Sequence, residues 1–384
     1  VAFAPYLNAT IFAFIIFISG YILEIINHTK WLKWIVLLLI AFSPSLQDVY
    51  TMLWSETLFI AEILLFIWCC HIYFSSYHIK HLILLSLIAA IACNTRYAGV
   101  SVVATGGILL LFDGELKWKK KIIHILIYGL ISISLLTINL IRNYILTSSL
   151  TGPRQKGITP LLKNIEYYGN VITDWMPFST FLHPYSLLTG IVFLATILFV
   201  FIYRTIKKIE HHSFEKITAT FTVMYSLFML TTATLSRYEP INSRLLSPVY
   251  IPLVLTVSFY IVLFISLFKK LYSKFIISLI ISALGIIMLY EFINIDKDNL
   301  KDANEGGIGG YSDDESINGQ VVKYLKEDNS IFLIGIPMYS NSGHGVYFYT
   351  KHFMNNFPER VHTEEVEKFY SNSKCLIIWF NNEN

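Results

Sequence analysis

Asn94-Thr95-Arg96-Tyr97-Ala98-Gly99 separates two apolar runs, Leu82–Cys93 and Val100–Phe112. Each run is shorter than the roughly 20 apolar residues a membrane-spanning helix needs. An arginine between two short hydrophobic helices is costly unless it faces water or a partner, so Arg96 is a functional-site candidate. The pattern predicts a hairpin of two short helices with Arg96 at its tip.

The surrounding chain supports a membrane setting. Its 384 residues are 55% hydrophobic and 15% aromatic, with a mean hydropathy of +0.57. Only 14% are charged, against roughly a quarter in soluble domains. Apolar runs fall at Ala9–Ile26, Trp31–Ser43, Trp54–Phe74, Leu82–Cys93, Ala98–Phe112, Ile122–Ile141, Ser186–Tyr203, Ile217–Leu235, Leu245–Phe268 and Phe275–Ile293. The short runs at Trp31–Ser43, Leu82–Cys93 and Ala98–Phe112 predict kinked, re-entrant or protein-buried helices. The expected fold is an all-α polytopic membrane bundle of about 8–10 membrane helices over residues 1–295.

Residues 296–384 are polar and are expected to form a small soluble α/β domain. Ile331–Ile336 and Leu376–Phe380 read as buried strands. Glu364–Tyr370 reads as a helix, Gly306–Gly310 as a linker, and Ser342-Gly343-His344 as a turn.

The loops fall into two alternating sets. Asn27–Lys33, Ser75–His81, Asp113–Lys121, Arg204–Lys216 and Lys269–Lys274 carry 14 lysines and arginines. Pro44–Leu53, Asn94–Tyr97, Arg142–Tyr185 and Ser236–Arg244 carry seven. The positive-inside rule places the first set in the cytoplasm. The second set and the C-terminal domain then face the periplasm of a bacterial inner membrane. Five of the seven cations on that face are arginines: Arg96, Arg142, Arg154, Arg237 and Arg244. Topology does not ask for arginine there, and arginine grips phosphate or carboxylate through a planar fork.

Each candidate also has a plainer structural reading. Arg96 with Tyr97 binds an anionic group, or caps a helix end among lipid headgroups. Arg142-Asn143 and Arg154 bind substrate, or close a helix and a turn. Arg237 and Arg244 bracket Tyr238 and Glu239, and Glu239 pairs structurally with either arginine. Asp48 and Glu56 are the carboxylates available as general base. Glu56 opens a hydrophobic helix, where the helix dipole alone favours an acid. Glu62, deeper in that run, reads as a buried polar contact.

Several functions lack their signatures. A net charge of +3 with no basic–aromatic stretch argues against nucleic acid. No GxGxxG, Walker A or GxSxG motif is present. The four cysteines, Cys69, Cys70, Cys93 and Cys375, form no disulfide framework or CxxC site. No metal ligand spacing is visible, and a divalent cation is the one cofactor left open.

The motifs Ser55-Glu56-Thr57-Leu58-Phe59, Thr95-Arg96-Tyr97-Ala98-Gly99, Arg142-Asn143 with Gly152 and Arg154, and Arg237-Tyr238 with Arg244 through Pro248 occur in an order that resembles the GT-C integral-membrane glycosyltransferases. The resemblance is nearest to the protein O-mannosyltransferase and aminoarabinose transferase group and covers residues 1–295. It implies a polyprenyl-phosphate-linked sugar as donor and a glycan, lipid or protein acceptor. A carboxylate would activate the acceptor hydroxyl for inverting attack, and arginines would hold the leaving phosphate.

In that family the catalytic aspartate usually lies in the first non-cytoplasmic loop, and no such Asp precedes Asp48. The chain opens on Val1 in apolar sequence, so the expectation is that this loop is missing with the natural N-terminus; otherwise Asp48 or Glu56 is the base. Two other readings compete. One is a surface-polysaccharide polymerase or ligase using undecaprenyl pyrophosphate, which is also rich in periplasmic arginine. The other is a transporter or flippase for an anionic lipid, which would place charges near the midplane of broken helices.

Overall fold

A computed structural model describes the chain apart from residues 1–2, 27–28, 53, 152–155, 207–212, 238, 307–316, 328–331, 333–334, 359–362 and 381–384. The chain divides into two compact units, Val1–Asp296 and Lys297–Asn384.

The first unit is helical. It begins with α1 (Ala4–Ile26), α2 (Lys30–Ala41), α3 (Pro44–Thr51) and α4 (Ser55–Ser76). Then come α5 (Ile79–Thr95), a 3-10 turn at Tyr97–Gly99, α6 (Val100–Leu111) and α7 (Trp118–Thr147). The amphipathic α8 (Leu161–Asp174) and the single turn α9 (Ser179–Leu182) lead into α10 (Ser186–Ile206), α11 (Phe214–Leu235), α12 (Ser243–Ser266) and α13 (Leu271–Gly306).

Seven helices among the described residues are long and apolar enough to cross a bilayer. α2 and α3 are apolar and long enough only when taken together, as a broken span or a re-entrant pair with an angle of 43° between them. Proline causes the break. Pro44 sits in the first turn of α3, where its missing N–H costs nothing. The preceding Ser43 is extended, at φ −74° and ψ 116°, as the proline ring requires. α5 and the Tyr97–Leu111 segment are apolar but short. The chain is an integral multi-pass membrane protein.

α4 and α11 run through the centre, buried over most of their length. Their hydroxyls turn back onto their own helix: Thr218, Thr220, Thr222 and Ser226 each donate to the carbonyl four residues earlier. That satisfies polar groups in a place without water. α7, α10 and α13 present long exposed apolar faces, including Leu130, Ile138, Phe199 and Ile286, as lipid-facing helices do.

Two stretches read as loops are helical. Pro44–Leu53 contains α3, and Arg142–Tyr185 contains the end of α7, all of α8 and α9. α7 runs six residues past Ile141, where the apolar run was taken to end, so Arg142 and Asn143 lie within a helix.

The second unit holds a three-stranded parallel sheet in the order β2-β1-β3, formed by β1 (Met338–Ser340), β2 (Asn355–Asn356) and β3 (Leu376–Ile378). Tyr339 pairs with Asn355 on one side and with Ile377 on the other. Parallel neighbours need crossovers, supplied by helices Gly343–Thr350 and Thr363–Tyr370. Leu325, Phe332, Val346 and Ile378 form its small core. The helix expected at Glu364–Tyr370 is present, and Leu376–Phe380 contains β3. Ile331, Leu333 and Ile334 of the strand expected at Ile331–Ile336 lie outside the described residues, and a strand stands at Met338–Ser340. Of the expected turn Ser342-Gly343-His344, Ser342 is a turn residue and N-cap, while Gly343 and His344 begin a helix. Most of the Gly306–Gly310 segment lies outside the described residues.

Candidate functional site

Three helix ends meet around one carboxylate. Glu56 occupies the first turn of α4 and is only 4% exposed. Arg96 follows the last residue of α5, and Arg244 sits in the first turn of α12. Arg96 Nη1 pairs with Glu56 Oε1. Arg244 Nε lies 3.6 Å from the same oxygen. Arg244 Nη2 also pairs with Glu239 Oε1. The result is an alternating chain, Glu239–Arg244–Glu56–Arg96, whose four formal charges cancel.

Local structure explains how each member is held. Trp54 is extended ahead of α4, at φ −94° and ψ 152°. Its carbonyl accepts the Thr57 hydroxyl at 2.9 Å. The Asn8 side-chain amide donates to the carbonyls of Tyr50 and Met52 at 3.0 and 2.8 Å, tying α1 to the approach to α4. Arg96 is extended at φ −148° and ψ 145°, and its N–H still bonds Ala92 O. Asn242 caps α12: its Oδ1 accepts from Leu245 N at 3.0 Å and its Nδ2 donates to Glu239 Oε2 at 3.3 Å. That cap fixes Glu239 and the α12 end that carries Arg244.

Gly99 sets the turn after Arg96. A Cβ there would stand 2.4 Å from the carbonyl carbon and oxygen of Ala92, so only glycine lets the turn lie against the last turn of α5. Thr95 Oγ1 donates to Glu62 Oε1 at 2.8 Å, the buried polar contact expected of Glu62.

The arginines also touch aromatic rings. The Arg244 guanidinium lies 4.8 Å from the centre of the Trp54 ring, and that of Arg96 lies 6.0 Å from Phe59. Ser55 Oγ is 3.5 Å from Arg96 Nη1 and 3.4 Å from Glu56 Oε2. Trp54, Asn242 and Phe59 were not identified from sequence. The signal for Trp54 was its position two residues before Glu56; Phe59 closes the Ser55–Phe59 motif but was given no role, and nothing in the sequence points to Asn242.

The remaining candidates are spread over several elements. Tyr97 is 40% exposed on the 3-10 turn next to Arg96. Arg237 is half-buried in the loop before α12. Asp48 is exposed on α3, with Asp296 of α13 as an electrostatic neighbour. Arg142 is exposed on α7, and no ion pair joins it to Glu56 among the described residues. Asn143 Nδ2 reaches Leu150 O at 3.5 Å. Arg154 and Tyr238 lie outside the described residues. No three His, Cys, Asp or Glu side chains converge as a metal centre among the described residues.

No protein-family model, curated protein or solved structure matches this chain. Its chemistry is therefore argued from the site alone.

The two guanidiniums bear on any anion that reaches the surface beside them. They are planar and partly desolvated, with side-chain exposures of 14% for Arg96 and 31% for Arg244. Partial burial strengthens their interaction with charge relative to open water. Glu56, with Oε1 shared between both and Oε2 beside Ser55, is already engaged as a holder of the pair.

Proposed function

We propose that the chain is a membrane glycosyltransferase that moves a sugar from a polyprenyl-phosphate donor to an acceptor hydroxyl, with inversion, at the membrane face where Glu56, Arg96 and Arg244 gather. On this reading the membrane is a bacterial inner membrane and the site faces the periplasm. The observation that carries the reading is the sharing of Glu56 by two arginines from separate helix ends, directly above an apolar bundle. A donor with its prenyl chain in the bilayer would present its phosphate at that level.

The residues then have distinct roles. As the bond from the anomeric carbon to phosphate breaks, the phosphate oxygen takes the electron pair and its charge rises. Arg96 and Arg244 donate hydrogen bonds to it, most strongly in the transition state. Glu56 positions both guanidiniums in the absence of donor and gives them up in part when phosphate enters. Asp48, exposed on the neighbouring α3, takes the proton of the acceptor hydroxyl as its oxygen attacks the opposite face of the sugar. Tyr97 and Arg237 flank the phosphate position.

The test is sugar transfer from a radiolabelled polyprenyl-phosphate sugar in membranes carrying the protein. Arg96→Ala and Arg244→Ala should each abolish transfer, and Arg96→Lys should restore little, because lysine lacks the planar fork. Full transfer in both alanine variants would remove the phosphate-clamp reading.

A further inference from the structure

A second feature, an apolar cavity, leads to a polar rim at the end of the bundle away from Glu56. A cavity of about 490 Å³ lies between α2, α8, α10, α11, α12 and α13. Its size falls within the roughly 300–1,000 Å³ of ordinary ligand sites. Its serine and threonine hydroxyls are turned into their helices: Thr196 donates to Val192 O, Thr222 to Thr218 O, Thr256 to Pro252 O and Ser258 to Leu255 O. The surface offered is thus hydrocarbon. Val257 and Leu284 line the cavity yet are 46% and 38% exposed, so it opens between α12 and α13 toward the lipid-facing surface.

The helical repeat leads from the cavity to a polar end. On α10 the lining residues Phe193, Ile197 and Val200 are spaced so that Arg204 continues the same stripe one turn on. On α11 Ala219 lines the cavity and Glu215 precedes it by one turn. Arg204 and Glu215 pair with each other. On α12 the lining reaches Tyr260 and Ile261, and Tyr260 is an electrostatic neighbour of Arg204. The Tyr260 hydroxyl and Arg204 Nε are buried and have no hydrogen-bond partner among the described residues. Two neighbouring donors without acceptors call for a group rich in acceptor oxygens.

We infer that this cavity binds a membrane phospholipid, one acyl chain filling the apolar space and the phosphodiester accepting from Arg204 and Tyr260. The site is separate from the Glu56 group: α11 runs from Glu215 to Leu235, a length of about 30 Å, and Arg244 follows at its far end. The inference stands whether or not the chain transfers sugars.

Native mass spectrometry of the protein released from nanodiscs tests it, with phosphatidylglycerol and a diacylglycerol of the same acyl chains as probes. One phosphatidylglycerol per chain is expected to remain bound, and diacylglycerol to bind about tenfold more weakly. Ala219→Phe fills the cavity from its wall. Val257→Trp closes the mouth from the lipid-facing surface, where folding is least at risk. Each should lower phosphatidylglycerol occupancy about tenfold, and Tyr260→Phe should lower it severalfold with an unchanged melting temperature. Undiminished occupancy in Val257→Trp would overturn the inference. So would equal retention of the two probes, or preferential displacement by a polyprenyl phosphate, which would assign the cavity to a prenyl chain.

Discussion

Arg244 Nε lies 3.6 Å from Glu56 Oε1, joining the first turn of α12 to the first turn of α4. Both residues begin long apolar helices. An ion pair in that position clamps two helix ends together, while Arg244 Nη2 pairs with Glu239. Arg96 reaches the same oxygen from the end of α5. Glu56 is therefore the common point of three helices, and its loss should not be equivalent to the loss of either arginine.

That asymmetry gives the first prediction. Removing one partner of a buried ion pair costs about 3–5 kcal/mol, because the remaining charge is left uncompensated. Glu56→Gln strips the carboxylate from two guanidiniums at once and should fall in that range, toward its lower end because Arg244 is partly exposed. Arg96→Ala leaves Glu56 still beside Arg244 and should cost less. Thermal or denaturant unfolding of the purified protein measures both, and the double variant should be less destabilised than the sum of the singles. Additive losses would mean that the two side chains do not communicate.

Gly99 gives the second. A methyl group there would overlap the Ala92 carbonyl, which is backbone and cannot swing aside. Gly99→Ala should cost about 1–3 kcal/mol through forced backbone movement. Because Arg96 precedes that turn, the proposed function requires that Gly99→Ala also reduce sugar transfer by more than its loss of stability predicts. Gly107, with nothing near its Cβ position, is the control: Gly107→Ala should leave folding and transfer unchanged.

Trp54 gives the third. The Arg244 guanidinium rests 4.8 Å from its ring, a contact of about 0.5–2 kcal/mol. On the proposed function, Trp54→Ala should weaken donor binding by the corresponding factor, about 2- to 30-fold, seen as a rise in KM. Trp54→Phe keeps a ring face and should retain most of the affinity. An equal loss in both would show that the indole acts by some means other than its face.

The membrane helices were legible because hydropathy and length are local properties: Trp54–Phe74 became α4 almost residue for residue. α3 and α8 were not, because their apolar residues cover only one side and give no run. Arg142 was assigned to a loop since Arg142-Asn143 interrupt the apolar run at Ile141, yet the helix continues through them to Tyr144, Ile145 and Leu146. At the site, loop charge placed Arg96 and Arg244 on one face. It could not show that both meet Glu56, since which helix ends are neighbours depends on packing across the whole bundle. Trp54 and Asn242 became visible only once Arg244 and Glu239 were located beside them.

The fourth prediction concerns pH and the junction between α8 and α10. Asp174 Oδ1 faces His183 Nε2 at 2.8 Å. Burial raises the Asp174 carboxyl above its ordinary value, and the His183 side chain offsets part of that rise. A carboxyl raised in the folded state holds its proton more tightly there than in the unfolded chain. Its contribution to stability is thus fully present below the unfolded value of about 3.9, and is lost as pH rises through the raised folded value. Asp174→Asn removes this titration. The stability of the variant relative to the parent should accordingly increase from about pH 4 upward across the acid range. Melting curves of both proteins at a series of pH values check the sign. A difference that stays constant or shrinks with rising pH would mean that pairing with His183, rather than burial, governs Asp174.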